Sequence, residues 1–151
     1  MTRAIADALL EQLGLRLGLA GLRLDAHGCC RLAFDGRWLV TMALMPGGRL
    51  FMYCPVGSPD TTSALESATL LAMLQGSFMG RGAAGATLAV SPDRRACVQR
   101  ELPLAEIDAG RLQSEIEQML NTAETWSGRL LNTGGATVVP VRTRALSRAL
   151  A

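Results

Sequence analysis

The sequence predicts a small single α+β domain that forms a homodimer: a helix, a three-stranded antiparallel meander, a second helix, two strands and a last helix. Three observations predict this fold. Apolar residues recur at helical spacing near residue 10, three strand-like runs are separated by glycine turns, and a capped helix follows a strand near residue 105. A chain of 151 residues suits one compact domain with a buried core.

The first helix is predicted over residues 3–18. Five apolar residues lie on one face at helical spacing: Ile5, Leu9, Leu10, Leu13 and Leu17. Leu15 and Leu19 widen this stripe beyond what one packed face requires. Either the helix is buried on two sides, or one face packs on the sheet while another is offered to a partner.

Three strand-like runs follow, over Cys29–Phe34, Trp38–Met45 and Arg49–Val56. The turn sequences Asp35-Gly36 and Pro46-Gly47-Gly48 separate them and predict an antiparallel meander. Both faces of the second run are largely apolar, so neither is plainly a solvent face. The domain's own helices can cover one face of the sheet, and the other requires a subunit or a ligand chain.

The middle helix is predicted to begin after Asp60, with a capping box formed by Ser63 and Glu66. No charged residue occurs between Glu66 and Arg81. A helix that is apolar on most sides is buried on most sides, which favours a subunit interface at this helix.

Gly80-Arg-Gly-Ala-Ala-Gly85 matches the glycine spacing of dinucleotide-binding sites. That fingerprint functions between a strand and a following helix, where the helix N-terminus meets the pyrophosphate. Here a helix precedes the motif and the predicted strand Ala86–Val90 follows it. We therefore interpret it as a glycine-rich connection rather than a phosphate site.

The last strand and helix are the best-marked part of the chain. Val98 and Leu102 alternate onto one side of the strand, Arg100 interrupts that apolar side, and Pro103 marks the end of the strand. Asp108 suits the N-cap of the helix, because its carboxylate can accept from the unpaired first-turn N–H groups. The apolar face of the helix comprises Leu112, Ile116, Met119, Leu120 and Ala123.

Charge is distributed unevenly along the chain. Residues 1–124 contain eleven of the fifteen arginines and all thirteen acidic residues, a net charge of −2, whereas the last 27 residues contain four arginines and no acid. The mildly acidic body argues against nucleic-acid binding, although the basic tail alone leaves that function open.

Candidate catalytic and metal-ligating residues are few. His27 lies near Asp25, Cys29 and Cys30, but this spacing matches no structural zinc pattern. A Cys–His nucleophile pair would require Cys54 or Cys97 to meet His27 in space, and nothing in the sequence indicates that.

Glu115 and Glu117 lie two residues apart on a helix and face different directions, so they form no carboxylate pair. The chain has no lysine for a nucleotide-binding loop. We expect no enzyme activity, no metal and no cofactor.

Four cysteines without a secretion signal predict reduced thiols in a cytosol. Asp7 and Glu11 interrupt the apolar beginning of the sequence, and no apolar run approaches the ~20 residues that span a bilayer. We expect a soluble intracellular protein without membrane insertion.

Five stretches carry a family resemblance through their shared order: LLEQLGL (9–15), LDAHGCCRLAFDG (24–36), RLFMYCPVG (49–57), GATLAVSPD (85–93) and RELPLAEIDAGRLQSEIEQMLNTAETW (100–126). Together they resemble the class I type III secretion chaperones, the Tir chaperone (CesT-like) family. The resemblance covers residues 3–130 or so, and we place the chaperone-like domain at 1–130 and a basic tail at 131–151.

The resemblance implies a cytoplasmic bacterial protein without a nucleotide or metal. It implies that a homodimer, formed around the middle helix and a neighbouring strand, holds the N-terminal segment of a secreted effector extended and competent for secretion. The secretion apparatus would be a further partner. The implied effector groove is Leu9, Leu13, Phe34, Trp38 and Val40. The implied dimer surface is Leu70, Leu71, Leu74, Phe78, Leu88 and Val90.

Two features depart from that family. Such chaperones are usually acidic overall, and this chain is not because of its tail, which has no counterpart in the resemblance. The alternative hypothesis is a regulatory binding module that uses the arginine-rich tail on nucleic acid or on an acidic partner.

Overall fold

A computed structural model describes residues 1–56, 67–132 and 149–150 of the chain. Three helices and six strands follow in the order α1 (Thr2–Leu17), β1 (Cys29–Phe34), β2 (Trp38–Met45), β3 (Arg49–Pro55), α2 (Ser67–Ser77), β4 (Thr87–Val90), β5 (Ala96–Pro103), α3 (Ala109–Asn132) and β6 (Ala149–Leu150). The predicted α+β class and the order of the first eight elements are confirmed. The predicted capping box of α2 and most of the tail lie outside the described residues.

The six strands form one antiparallel sheet in the order β4-β5-β3-β2-β1-β6. The two tight turns join β1 to β2 and β2 to β3, and place Leu32 opposite Val40 and Met42 opposite Met52. The next neighbour of β3 in the sheet is β5. The chain between these two strands contains α2 and β4, so no hairpin connects them. As a result, β4 and β1 lie at opposite sides of the described sheet, with β6 paired outside β1.

One face of the sheet carries the hydrophobic core together with α1 and α3. The alternation of buried residues along β3 shows the pattern: Leu50, Met52 and Cys54 point inward, while the residues between them are half-buried. The largest fully buried side chains are Leu10, Leu13, Leu32, Phe34, Val40, Met42, Leu50, Met52, Val98, Leu112, Ile116 and Met119.

The opposite face of the sheet is only partly covered in the described structure. Phe51 and Tyr53 are half-buried there, with ring centroids 6.2 Å apart, and Leu39 and Met45 are exposed. An apolar, half-open face is what the sequence of β2 predicts, since both sides of that strand carry apolar residues.

Local chemistry accounts for the ends of the helices. Gly18 ends α1 in the left-handed region at φ 72°, and its N–H bonds back to the last turn. At the start of α3, Asp108 Oδ1 accepts from Arg111 N at 2.7 Å, so the predicted cap is confirmed. Gly128 does not end α3, which continues to Asn132 with Leu130 packed against the core. None of the described helices combines the length and the apolar character needed to cross a membrane.

Candidate interaction surfaces

The first surface, which we call the α2 patch, consists of exposed apolar side chains on α2, on the short 3-10 turn after it, and on β4. Its members are Leu70, Leu71, Leu74, Phe78, Met79 and Val90. Only Thr69 and Met73 of α2 are buried. The helix therefore packs on its own domain through one narrow stripe of side chains. Its wide apolar face contacts nothing that buries it within the described chain.

Two contacts fix α2 beside the edge strand β4. Ser77 Oγ accepts from Leu88 N at 2.9 Å and donates to Leu88 O at 3.2 Å, which anchors the helix end to the strand. Gly76 packs so closely on Trp126 of α3 that a Cβ there would lie 2.6 Å from the indole ring. The α2 patch is thus a fixed part of the domain.

Leu88 differs from the other residues predicted for a dimer surface. Its side chain is buried in the core beside Gly76 and Val98, since it occupies the inward-facing position of β4. Leu70, Leu71, Leu74, Phe78 and Val90 are all exposed. Sequence periodicity could not have separated Leu88 from Val90, because the two residues lie on the same side of a regular strand. Val90 is exposed at the end of β4, whereas Leu88 lies within the strand.

The five residues predicted to line an effector groove are core residues in this structure. Leu9, Leu13, Phe34, Trp38 and Val40 are 0–7% exposed. In this structure these side chains lie beneath the surface of α1, β1 and β2, and their assignment to an effector groove stays a prediction. The prediction selected the inward-facing residues of α1, β1 and β2, whose spacing fits the core equally well.

Other residues of these elements are open to solvent. On α1, Ile5 and Leu15 are exposed, which favours the alternative in which this helix offers a second face to a partner. On β2, Leu39 is exposed on the outer face of the sheet, directly opposite Ala33 of β1. The sequence signal for Leu15 was present, since it widened the apolar stripe of α1 without fitting the packed face.

The loop before β1 lies against the first turns of α1. Asp7 Oδ1 accepts from Leu24 N at 2.9 Å, and Arg3 donates to the carbonyl oxygens of Leu24 and Asp25. These bonds hold the beginning of α1 beside the beginning of β1. The first turns of α1 therefore lie against the segment that leads into β1.

Asp25 organises the turn that leads into β1. Its Oδ1 accepts from His27 N at 2.8 Å and from Cys29 N at 3.0 Å, and these backbone hydrogen bonds, that of Cys29 first, lower the pKa of the carboxyl group. Asp25 thus acts as a turn residue. Within the described residues, no three His, Cys, Asp or Glu side chains converge as a metal site would require.

The buried thiols lie in the core. Burial raises the pKa of Cys54 to about 12 and that of Cys30 to about 11, and it also raises the pKa of Cys97. A thiol with a raised pKa stays protonated near neutral pH and is a poor nucleophile.

The glycine motif has a structural explanation. Gly85, at φ 82°, lies against the guanidinium of Arg100, and a Cβ at this position would be 3.2 Å from Nη2. Arg100 Nη1 also donates to Ala84 O at 3.4 Å and to Gln118 Oε1 at 3.4 Å. The motif joins a helix to a strand, as the sequence predicted, and Gly85 allows the backbone to approach an arginine.

That arginine forms an ion pair across the core. Arg100 Nη1 lies 2.6 Å from Glu115 Oε2, and Arg111 Nε donates to Glu115 Oε1 at 2.7 Å. Among the described residues, Oε2 accepts no well-aligned hydrogen bond, so charge holds the contact with Arg100. The pair explains why an arginine interrupts the apolar side of β5.

The model of the Tir chaperone protein (CesT) family matches residues 8–127, most of the chain. The chain belongs to this family.

Solved structures share the fold of this CesT-family chain. The HopA1–SchA chaperone–effector complex contains a chain with 18% identity and a TM-score of 0.71, over 85% of this chain and 97% of that one. The ExsC–ExsE complex gives 20% identity and a TM-score of 0.71, over 85% and 95%. The Yersinia pestis type III secretion chaperone SycH, in complex with a fragment of YscM2, gives 20% and 0.67, over 81% and 99%.

No curated protein sequence matches this CesT-family chain. The solved structures named above are 18–20% identical to this chain. At this level of identity, the structural likeness establishes the fold alone.

Proposed function

We propose that this protein is a non-catalytic chaperone that binds the N-terminal segment of a type III secreted effector in the bacterial cytoplasm. It would keep that segment extended and competent for secretion. Membership of the CesT family supports the proposal, as does the likeness to chains solved in a chaperone–effector complex and as a type III secretion chaperone.

A homodimer formed through the α2 patch is part of the proposal. The exposed side chains of Leu71, Leu74 and Phe78 form an apolar surface on a helix that has no charged residue of its own. Exposing such a surface to water costs roughly 25 cal/mol per Å² of apolar area, and a second copy would remove that cost. The patch lies beside β4, so the backbone edge of that strand, which no other described strand pairs with, could join the same interface.

Cargo binding is proposed at the other side of the sheet. A strand added beside β1 would place alternate side chains on the two faces of the sheet. On one face those side chains would approach the exposed residues of α1, such as Ile5, and on the other they would approach Leu39. The core residues beneath this surface would support it without contacting the cargo, because their side chains are buried. They are Leu9, Leu13, Phe34, Trp38 and Val40.

One observation carries the proposal: the α2 patch lies beside β4, whereas β1 and the exposed Leu39 of β2 lie toward the opposite side of the same sheet. The order β4-β5-β3-β2-β1-β6 places three strands between β4, beside the α2 patch, and β1, beside α1. A dimer contact at β4 would leave the β1 side of the sheet outside the interface, where a polypeptide could bind. This separation would allow the protein to hold a partner chain while remaining a dimer.

Co-expression tests the proposal. The chain would be produced with a tagged N-terminal segment of the polypeptide encoded by the neighbouring gene, and recovery of the complex would be measured. We expect the wild type and Leu74→Glu to be recovered with the segment, and Leu39→Glu to be recovered at a reduced level. If none of the three retains the segment, or if Leu39→Glu retains it fully, the proposed cargo surface is wrong.

A further inference from the structure

The edge of β1 is already occupied by this chain's own residues. Leu150 lies opposite Ala33 and Ala149 opposite Phe34 in an antiparallel pairing of β6 with β1. These two residues come from the basic tail, outside the range matched by the family model. Their position is the one that the proposed function gives to a cargo strand.

Hydrogen-bond directions show which backbone groups of β1 face this edge. In an antiparallel strand, alternate residues direct their N–H and C=O groups to opposite neighbours. Gly28 O accepts from Leu44 N of β2 at 2.9 Å, so even-numbered residues face β2. Cys29 faces away from β2, since its N–H and C=O both bond to Asp25. Arg31 and Ala33 therefore face the outer edge.

The outer edge is short and mostly closed. The turn at Asp25 closes it at Cys29, and Leu150 closes it at Ala33. Within the described chain, Arg31 lies between these two points with no strand residue opposite it. Edge strands left open in this way invite pairing with other chains, and covering them prevents it.

We propose that residues 149–150 are a placeholder strand, which an incoming extended polypeptide must displace from the β1 edge. This inference rests on the proposed function for the identity of the incoming chain, but the occupancy of the edge is independent of it. The placeholder pairs with only two residues, whereas a longer strand could pair with Arg31 as well as Ala33. A longer cargo strand would thus replace the tail without any change in the sheet.

The length of the tail permits both states. Sixteen residues separate the last residue of α3, Asn132, from Ala149. An extended chain spans roughly 3.3 Å per residue, so this connection reaches about 50 Å. Residues 149–150 can leave the edge while α3 and the sheet remain in place.

Amide hydrogen exchange at Ala33 tests the occupancy. The intact chain would be compared with a chain that ends at Arg148 and with Leu150→Pro, which lacks the N–H at the paired position. We expect exchange at Ala33 to become about tenfold faster in both variants, because removal of residues 149–151 takes away the carbonyl that accepts from the Ala33 N–H, and proline at 150 breaks the other hydrogen bond of the same pair. The Leu32 amide faces β2 and serves as the internal control, with unchanged exchange.

A disulfide tests the displacement. Ala33→Cys with Leu150→Cys, in a Cys29→Ala background, joins two directly opposed positions whose Cα atoms are about 5.5 Å apart in such pairs. The probe is a labelled peptide of residues 133–151, added in trans and followed by NMR line broadening. We expect binding to be strongest for the chain that ends at Arg148, at least about tenfold weaker for the intact chain, and absent for the oxidised disulfide variant until it is reduced.

Two results would overturn the placeholder. One is unchanged exchange at Ala33 after removal of residues 149–151, and the other is a failure of the peptide to discriminate among the three proteins, including a failure to bind any of them. No effector enters this test. An absence of cargo binding in the co-expression experiment would therefore count against the proposed function alone and leave the result at Ala33 standing.

Discussion

Arg100 of β5 and Glu115 of α3 form an ion pair between the sheet and the helix, with Arg100 Nη1 2.6 Å from Glu115 Oε2 and side chains that are 22% and 3% exposed. The arginine lies on the core side of β5, opposite Met52 of β3. It also supports the glycine connection through Ala84 and Gly85. One charged pair thus joins α3, the sheet and the segment that carries α2 into β4.

Glu115→Gln should destabilise the domain by about 3 kcal/mol, because it leaves Arg100 largely buried without its counter-charge. Arg111→Ala is the matched control. It removes the other, mostly exposed partner of Glu115 and should cost less than about 1 kcal/mol. Urea unfolding followed by circular dichroism measures both. Equal losses in the two variants would show that the buried pair has no special role.

Gly76→Ala should destabilise the domain by about 2 kcal/mol, because the added methyl group would overlap the Trp126 ring in a packed contact. Gly128→Ala places the same substitution in α3, where nothing lies within 4 Å, and should stabilise by about 0.5 kcal/mol through helix propensity. Thermal unfolding of the two variants provides the comparison. A loss at residue 128 as large as that at residue 76 would contradict the packing of α2 on α3.

Leu74→Glu should convert the proposed dimer into a monomer, because it places a charge at a residue of the α2 patch that is 70% exposed. Leu15→Glu is the control on α1, at a residue of similar exposure, and should remain dimeric. Sedimentation velocity at several concentrations distinguishes the two. A dimer that survives Leu74→Glu would place the interface elsewhere.

Stability should fall as the pH rises above about 8.5. An unfolded thiol has a pKa of about 8.5, whereas burial raises the pKa of folded Cys54 to about 12. Between these values the folded chain retains a proton that the unfolded chain has released. The free energy of unfolding therefore falls by up to about 1.4 kcal/mol per pH unit for each such thiol, and the contribution is fully present only at lower pH.

Cys54→Ala should make this decline less steep, even though the loss of a core side chain lowers stability at every pH. Cys29→Ala, at a half-buried surface position, is the control and should retain the slope of the wild type. Urea titrations between pH 7.5 and 10 measure the slopes. Parallel curves for the wild type and Cys54→Ala would show that the thiol titrates alike in both states.

Most of the fold was predictable because it depends on local signals. The meander follows from its turns, and its predicted strands are confirmed to within one residue, with β3 ending at Pro55. The cap at Asp108 and the strand end at Pro103 follow from backbone chemistry. Gly128 lies within α3 without ending it, since tertiary packing of the helix overrides the low helix propensity of one glycine.

The candidate surfaces were harder to predict because periodicity identifies apolar faces but not what covers them. The family resemblance implied Leu9 and Leu13 as groove residues, although their spacing is also that of a core stripe, and the structure buries them. Arg100 was recognised as an interruption of an apolar face, yet its partner could not be identified. Glu115 lies on another element, and only the folded sheet brings the two together.

The native mass of the purified complex tests the central claim most directly. The chain would be co-expressed with the N-terminal segment of the neighbouring gene's product and measured by native mass spectrometry. The proposed function predicts a complex that contains two copies of this chain together with the segment. A single copy of the chain without any segment would contradict it.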